Sequence, residues 1–276
     1  MEARRLSPEP VYAGSFLGLT LDWRELGNTI VSDNLYRPLT HLPAHSHERA
    51  YVAFVLKGGF RELCDRESIE CAVGTVLFHP EEEVHADSFT PAGGRIFSVE
   101  LGRDWNEDLV PRLGARQVLR GGHVFQLGLG LRLRLMQEDG LADLHAEEFS
   151  RVLGAEIARL RQVPAREARS AWIQRAKDFL RAHYAEPLTL SGIARHAEVH
   201  PVHLARQFRR VQGCTVGDFI RALRLQRATE LLLDTEEPIA QIATACGFSD
   251  QAHLTRLLKA ALGVPPSKLR ARLGTS

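Results

Sequence analysis

The 276-residue chain predicts an α+β protein: a strand-rich N-terminal half, a helical middle segment and an all-α C-terminal domain. Three observations carry that expectation. Short β-branched and aromatic runs separated by Gly and Pro fill residues 28 to 101, apolar residues recur at helical spacing from His123 onward, and a helical pattern with legible caps repeats itself in the last hundred or so residues. The length suits two domains, since single cores usually stop growing at about 100 to 200 residues. The boundaries that follow are 1–122 for the strand-rich domain, 123–167 for a helical linker segment and 168–276 for the C-terminal domain.

Tyr51 to Leu56 is a β-branched and aromatic run closed by Gly58-Gly59. Thr75 to Phe78 is opened by Gly74, and Arg95 to Leu101 follows Pro91-Ala-Gly-Gly. Short strands with turn residues between them predict a small barrel or sandwich. From His123 on, Leu131, Leu135 and Met136, then Leu144, Phe149, Val152, Leu153, Ile157 and Leu160 keep helical spacing, with Gly140 between two helices. The alternation of Leu127, Leu129, Leu131, Leu133 and Leu135 also permits a strand in the first of them. Gln162 to Glu167 reads as the linker, because Pro164 discourages continuation of the preceding helix.

In the C-terminal domain Ala171 to Tyr184 forms a helix that ends before Pro187. Thr189 caps a short helix through Ala197, and Pro201 falls at the first position of the next, with His200 at its cap. Thr215 opens a long helix to about Leu233, and Pro238 opens another that stops at Gly247. Ser249 caps a helix running to Leu262, which Gly263 and Pro265 stop, and a short tail helix starts at Ser267.

Charge divides the chain as the helices do. Lys and Arg number 35 against 34 Asp and Glu, a net +1, yet residues 168–276 hold 16 basic against 9 acidic side chains. A segment of about +7 rich in Arg suits a polyanion or presents a solvated basic face. No apolar stretch reaches the roughly 18 residues a membrane span needs, and the start MEARRLSPEP lacks the apolar run of a signal peptide. A cytoplasmic protein without membrane contact is expected. Four scattered cysteines give no disulfide framework and no C-x-x-C clip. Cys64 and Cys71 are either an oxidant-sensing pair facing each other across a hairpin near Glu67-Ser68, or bystanders; Cys246 reads as packing.

Residues 190–219 laid over 239–269 align as an internal repeat. Ile193-Ala194 matches Ile242-Ala243, Ala197 matches Cys246, Val199 matches Phe248, Leu204 matches Leu254, Arg206 matches Arg256 and Phe208 matches Leu258, with one residue inserted in the second copy. Each copy is a short helix, a tight turn and a longer helix. The outward positions of the longer helices, about 201–212 and 250–262, are Val202, Ala205, Arg206 and Arg209, and Gln251, Ala252, Thr255 and Arg256. Those residue types suit a major groove: Arg bridges guanine O6 and N7, Gln bridges adenine, and Val, Ala or a Thr methyl meets a thymine methyl. The helix between the copies is about 28 Å long, against about 34 Å between successive faces of one groove.

Residues 239–270, from Ile-Ala-Gln-Ile-Ala-Thr-Ala-Cys-Gly-Phe-Ser-Asp-Gln-Ala-His-Leu-Thr-Arg to Gly-Val-Pro-Pro-Ser-Lys-Leu-Arg, closely resemble the signature of the AraC/XylS family of transcription regulators. The resemblance spans about 170–273. It implies two helix-turn-helix motifs bound to double-stranded promoter DNA, contact with RNA polymerase, usually as an activator, a variable sensing domain for a small-molecule effector, and a homodimer paired through a helix such as those of 123–162. It implies base contacts at Val202, Ala205 and Arg206, and at Gln251, Ala252, Thr255 and Arg256. One departure is Glu198, where the family's first turn usually has glycine, while Gly247 is kept in the second; a positive φ at Glu198 would cost about 1 kcal/mol.

In the N-terminal half His45-Ser-His47, Tyr51 and Gly58, then Gly74, Pro80 and His85, fall in the register of the two cupin motifs, and cupins are small β-barrels. The resemblance implies a cupin-like ligand-sensing barrel. In metal-binding cupins two histidines, a glutamate and a later histidine hold one ion; here Tyr51 stands at the glutamate position, leaving His45, His47 and His85 for a divalent metal with an open position. His79 and Glu81-Glu82-Glu83 add candidates. The alternative is an organic-ligand pocket containing the same histidines, walled by Tyr51, Phe54 and Phe78. A metal-dependent cupin enzyme with a DNA-binding tail competes with the regulator reading, but no acid/base pair accompanies the histidines and no catalytic residue is assigned. An adaptor that binds protein partners through its helical pairs is a third alternative.

Overall fold

The computed structural model describes residues 9–65, 67–102, 116–120, 123–136, 140–162, 170–212 and 214–273. It forms two compact units, Met1–Arg120 with Arg134–Glu147, and Gly121–Leu133 with Glu148–Ser276. No helix among the described residues is long and apolar enough to cross a membrane. Apart from Gln162, the expected linker lies outside the described residues.

The first unit is built on nine strands in one sheet: β1 Glu9–Val11, β2 Leu19–Leu26, β3 Thr29–Tyr36, β4 His41–His47, β5 Tyr51–Cys64, β6 Glu67–Ala72, β7 Thr75–His79, β8 His85–Glu100 and β9 Gln117–Arg120. Every pairing is antiparallel except β1 with β4. The 14-residue β5 and 16-residue β8 form the spine. The first half of β8 takes β4 on its free edge and the second half takes β3; on β5, β7 pairs with Tyr51–Phe54 and β6 with Gly59–Cys64. Each long strand thus serves two layers and bends between them, where the β5–β8 register shifts around Gly58.

Glycine is required at that bend. Gly58 has φ +64° and Gly93 φ +68°; a Cβ at Gly58 would overlap the Gly93 carbonyl, and one at Gly93 would press on the Tyr36 carbonyl oxygen. Gly58-Gly59 therefore does not close the strand after Leu56, as the sequence suggested, but sits inside one that continues to Cys64. The two layers close on Tyr36, Leu42, Val55, Phe60, Leu77, Phe89 and Ile96. The expected barrel or sandwich takes its open form: the strand path β1-β4-β8-β5-β7-β9 has two ends among the described residues, because the sheet buries its inner face by folding at the glycines rather than by pairing its edges.

Of the two readings of Cys64 and Cys71, the geometry favours bystanders. Cys64 stands opposite Glu67, and Cys71 opposite Phe60. The hairpin turns two residues earlier than the sequence suggested, which leaves the two thiols four residues out of step. Both are buried, and burial pushes the Cys64 thiol up to about 11, so neither the geometry nor the thiolate population of an oxidant sensor is present.

Two helices follow, α1 His123–Leu135 and α2 Ala142–Gln162. The leucine alternation in α1 is helical, with Leu129, Leu131, Leu133 and Leu135 all buried. On α2, Leu153 is buried but Leu144 is 58% exposed, while the side chains of Ile157 and Leu160 lie outside the described residues.

The second unit carries α3 Ala171–His183, α4 Leu190–His196, α5 Pro201–Gln212, α6 Val216–Asp234, α7 Ile239–Ala245, α8 Gln251–Leu262 and α9 Pro266–Leu273. Their starts follow from capping chemistry. The Thr189 side chain accepts from Gly192 N, and Thr215 and Asp218 form a reciprocal capping box. The cap of α8 is Asp250 rather than Ser249: the carboxylate accepts from His253 N at 2.7 Å, and Ser249 Oγ donates to the other carboxylate oxygen. Gly263, left-handed at φ +76°, ends α8 as expected. The first helical pair packs Ile173, Leu180, Ile193, Ala194, Leu204 and Phe208 into one core. In the second, Ile242, Ala243, Leu254, Leu258 and Leu269 are fully buried.

Candidate functional site

The repeat read in the sequence is a structural repeat of helix, turn and helix: α4–α5 and α7–α8, with α6 between them. Its period is enforced by small residues. Ala194 and Ala243 let each short helix approach the helix beside it, and Leu204 with Phe208, or Leu254 with Leu258, anchors the inner face of the longer one. A framing helix then clasps each pair through a guanidinium. Arg224 on α6 donates to the carbonyls of Tyr184 and Glu186 at 2.7 and 3.0 Å, and Arg270 on α9 donates to the Glu237 carbonyl at 2.6 Å. This doubled clasp was not read from the sequence, because its two arginines are not at matched positions of the repeat.

With the inner faces fixed, the outer faces are determined. Val202, Ala205, Arg206 and Arg209 on α5 and Gln251, Ala252 and Arg256 on α8 are exposed, Val202 at 68%. Thr255 is half-buried, and its hydroxyl donates to the Gln251 carbonyl at 2.8 Å, which leaves its methyl as the outward group. Many arginines of the unit are engaged internally: Arg175 pairs with Glu198, Arg221 with Asp218 and Arg227 with Glu230. Arg206, Arg209 and Arg256 make no hydrogen bond or ion pair among the described residues.

The turns differ in a way that explains the sequence departure. Glu198 has φ +58° and Gly247 φ +82°, so both turns use the same left-handed backbone. At Gly247 a Cβ would overlap the backbone of Ala185, which excludes any side chain. At Glu198 the side chain is 76% exposed and reaches Arg175 at 3.1 Å, so only the φ cost remains.

In the first unit, polar side chains converge on a buried cavity. His45 and His85 are direct cross-strand partners on β4 and β8, and His47 lies two residues along β4 on the same face. The three are 3%, 2% and 6% exposed, and each offers a nitrogen within 4.8 Å of the others'. Tyr51 Oη is 3.2 Å from His85 Nε2. Phe54 and Phe78 are corrected as walls: they lie on the other face of their strands, Phe54 against Phe97, because strand alternation sends Tyr51 and Ala53 inward and Val52 and Phe54 outward.

The sequence reading missed Glu62, Asp87 and Ser98, which line the same cavity. An acidic or hydroxyl residue inside an apolar strand run was the available signal. Glu62 sits at the centre of a buried network: Arg116 donates to it at 2.6 Å, His79 Nε2 at 3.2 Å, and His79 Nδ1 reaches Glu83 at 3.0 Å. Burial opposes both charges, but the hydrogen bonds and opposite charges win, holding His79 up at about 9 and Glu62 down at about 2. Two cations thus balance two carboxylates. Burial, reinforced by neighbouring imidazoles, lowers all three rings of the cluster, His47 to about 2 and His85 to about 3, with His45 shifted in the same direction, so these rings are neutral. Burial, reinforced by the Glu62 charge, raises Asp87 to about 8, which keeps its carboxyl protonated. Phe16 closes one side, its ring 4.9 Å from that of His47.

Comparison with known proteins places the C-terminal unit. A helix-turn-helix domain model matches residues 193–272. The multiple antibiotic resistance protein MarA of Escherichia coli is 31% identical over 93 residues, 34% of this chain and 73% of MarA. AdaA of Bacillus subtilis, a bifunctional transcriptional activator and DNA repair enzyme, is 27% identical over 37% of this chain and 48% of AdaA, so the match spans about half of that relative. A solved AraC-type regulator from Chromobacterium violaceum is 32% identical over 37% of this chain and 90% of its own, with a TM-score of 0.35. The chain belongs to the AraC family of helix-turn-helix, DNA-binding transcription regulators.

Proposed function

We propose that this chain is an effector-responsive AraC-family regulator that reads two adjacent major-groove segments of promoter DNA. In this reading α5 presents Val202, Ala205, Arg206 and Arg209, and α8 presents Gln251, Ala252, Thr255 and Arg256. The observation that carries it is the outward, exposed state of Arg206, Arg209 and Arg256, without hydrogen bonds or ion pairs among the described residues, on helices whose inner faces are sealed by leucine and phenylalanine. The 19 residues of α6 supply a rod of about 28 Å, commensurate with the roughly 34 Å repeat of one groove face. The effector sits in the N-terminal cavity around His45, His47, Tyr51 and His85. Bound at a promoter, the regulator contacts RNA polymerase; AdaA, matched over 37% of this chain, carries an activator's name. It works in the cytoplasm as a homodimer paired through α2, whose exposed Leu144 supports that reading.

Genome-wide mapping of bound sites, followed by affinity measurements on an enriched fragment, tests the assignment. Arg256→Ala is expected to weaken binding by about 1–3 kcal/mol and to relax preference at one base pair. Unchanged affinity together with unchanged preference removes Arg256 as a reader.

A further inference from the structure

The size of the N-terminal cavity decides which class of effector it takes. Its volume is about 30 Å³. One water needs roughly 10–15 Å³, while organic ligands occupy pockets of about 300–1,000 Å³. The space suits an ion with one or two waters and is about a tenth of the smallest pocket that such an organic ligand fills.

Two side-chain clusters there have metal-ligand composition, and hydrogen bonding separates them. In Glu62–His79–His85 both ring nitrogens of His79 are taken by carboxylates, and Glu62 also accepts from Arg116. No lone pair of His79 is free. In His45–His47–His85 the ring hydrogen bonds point the other way. His45 Nδ1 is 2.8 Å from the Pro43 carbonyl oxygen and His85 Nδ1 is 3.2 Å from the Glu83 carbonyl oxygen. A carbonyl only accepts, so each ring carries its proton on Nδ1 and turns Nε2 inward, the arrangement that orients metal-binding imidazoles. His85 Nε2 accepts from the Tyr51 hydroxyl at 3.2 Å, a neutral partner that an ion displaces, unlike the carboxylates that hold His79. The His47 ring makes no hydrogen bond among the described residues, although its backbone carbonyl accepts from Glu82 N at 2.8 Å. Two further atoms, Asp87 Oδ1 and Ser98 Oγ, are buried in the cavity lining without a partner among the described residues, and water carried in by an ion would supply one.

We propose that His45, His47 and His85 bind one divalent transition-metal ion, and that this ion is the effector of the regulator; the second half of the statement rests on the function proposed above. Three imidazole nitrogens without a thiolate select the zinc, copper, nickel or ferrous class over magnesium or calcium. Nitrogens sharing a tetrahedral ion at about 2.0–2.1 Å stand roughly 3.4 Å apart, so the set within 4.8 Å closes by small ring shifts.

The test uses the full-length chain, stripped with chelator and exchanged into chelator-free buffer. Titration with Co²⁺, followed by its visible d–d absorption, and calorimetry with Zn²⁺ are expected to give one ion per chain, and Mg²⁺ none. His47→Gln and His85→Gln are each expected to weaken Zn²⁺ at least 100-fold, and Tyr51→Phe less than tenfold. Absence of stoichiometric Co²⁺ and Zn²⁺ binding in the wild-type chain overturns the site whatever the variants do. So does undiminished Zn²⁺ affinity in a His47→Gln chain that melts like wild type. Binding to a selected DNA fragment, compared with Zn²⁺ and with EDTA, is expected to differ about five- to 150-fold in the wild-type chain and not in His47→Gln. Equal DNA affinity in the two states overturns the sensing role and leaves the site standing. No DNA binding in either state overturns sensing together with the regulator reading, while the titrations still decide the site.

Discussion

At the scale of single residues, two turns with one backbone shape respond oppositely to substitution. Gly247→Ala adds a Cβ that overlaps the Ala185 backbone at a positive φ, so it is expected to destabilise the C-terminal unit by about 2–4 kcal/mol. Glu198→Gly relieves the same φ at the loss of an exposed ion pair, and is expected to stabilise by about 1 kcal/mol. Denaturant melts of the two variants check the pair; equal shifts would refute the account. Glu100 supplies a pH dependence. Burial raises this 3%-exposed carboxyl from 4.5 to about 7, against the hydrogen bond it accepts from Gly14 N. Between those values the folded chain holds a proton the unfolded chain has released, so the contribution is full below about 4.5 and is lost as pH rises through 7. Wild type is expected to lose up to about 3 kcal/mol more than Glu100→Gln across that window, and parallel melting curves of the two would contradict it.

At the scale of elements, the C-terminal helices were legible because their signals are local. A Thr or Asp side chain caps within three residues, Pro201 fixes the start of α5, and Gly263 turns out of α8; the misplacement of one cap from Asp250 to Ser249 cost a single residue. Reading helices that act as separate units have a separable footprint. Hydroxyl-radical cleavage of bound DNA is expected to show two protected segments about one helical turn apart. Arg206→Ala should thin one segment and Arg256→Ala the other, and simultaneous loss of both in either variant would argue against independent readers. The strands were less legible. Cys64 and Cys71 looked like cross-strand partners because the turn was placed near Glu67, and a two-residue shift of the turn displaces the pairing by four.

At the scale of the whole molecule, the exposed Leu144 on α2 favours pairing of two chains. The full-length protein is expected to sediment as a dimer, and Leu144→Glu to shift it toward monomer; a monomeric wild type would end that reading. The sequence by itself determined the helical repeat, the caps, the sealed and open faces of α5 and α8, and the three histidines, because each depends on spacings within a few residues of chain. Only the tertiary structure decided that the sheet is folded open rather than closed into a barrel, that Phe54 and Phe78 face away from the cavity, and that Glu62, Asp87 and Ser98 face into it. Those outcomes depend on strand register across the bulges at Gly58 and on the bend it shares with Gly93, which join residues far apart in sequence and leave no local periodic trace.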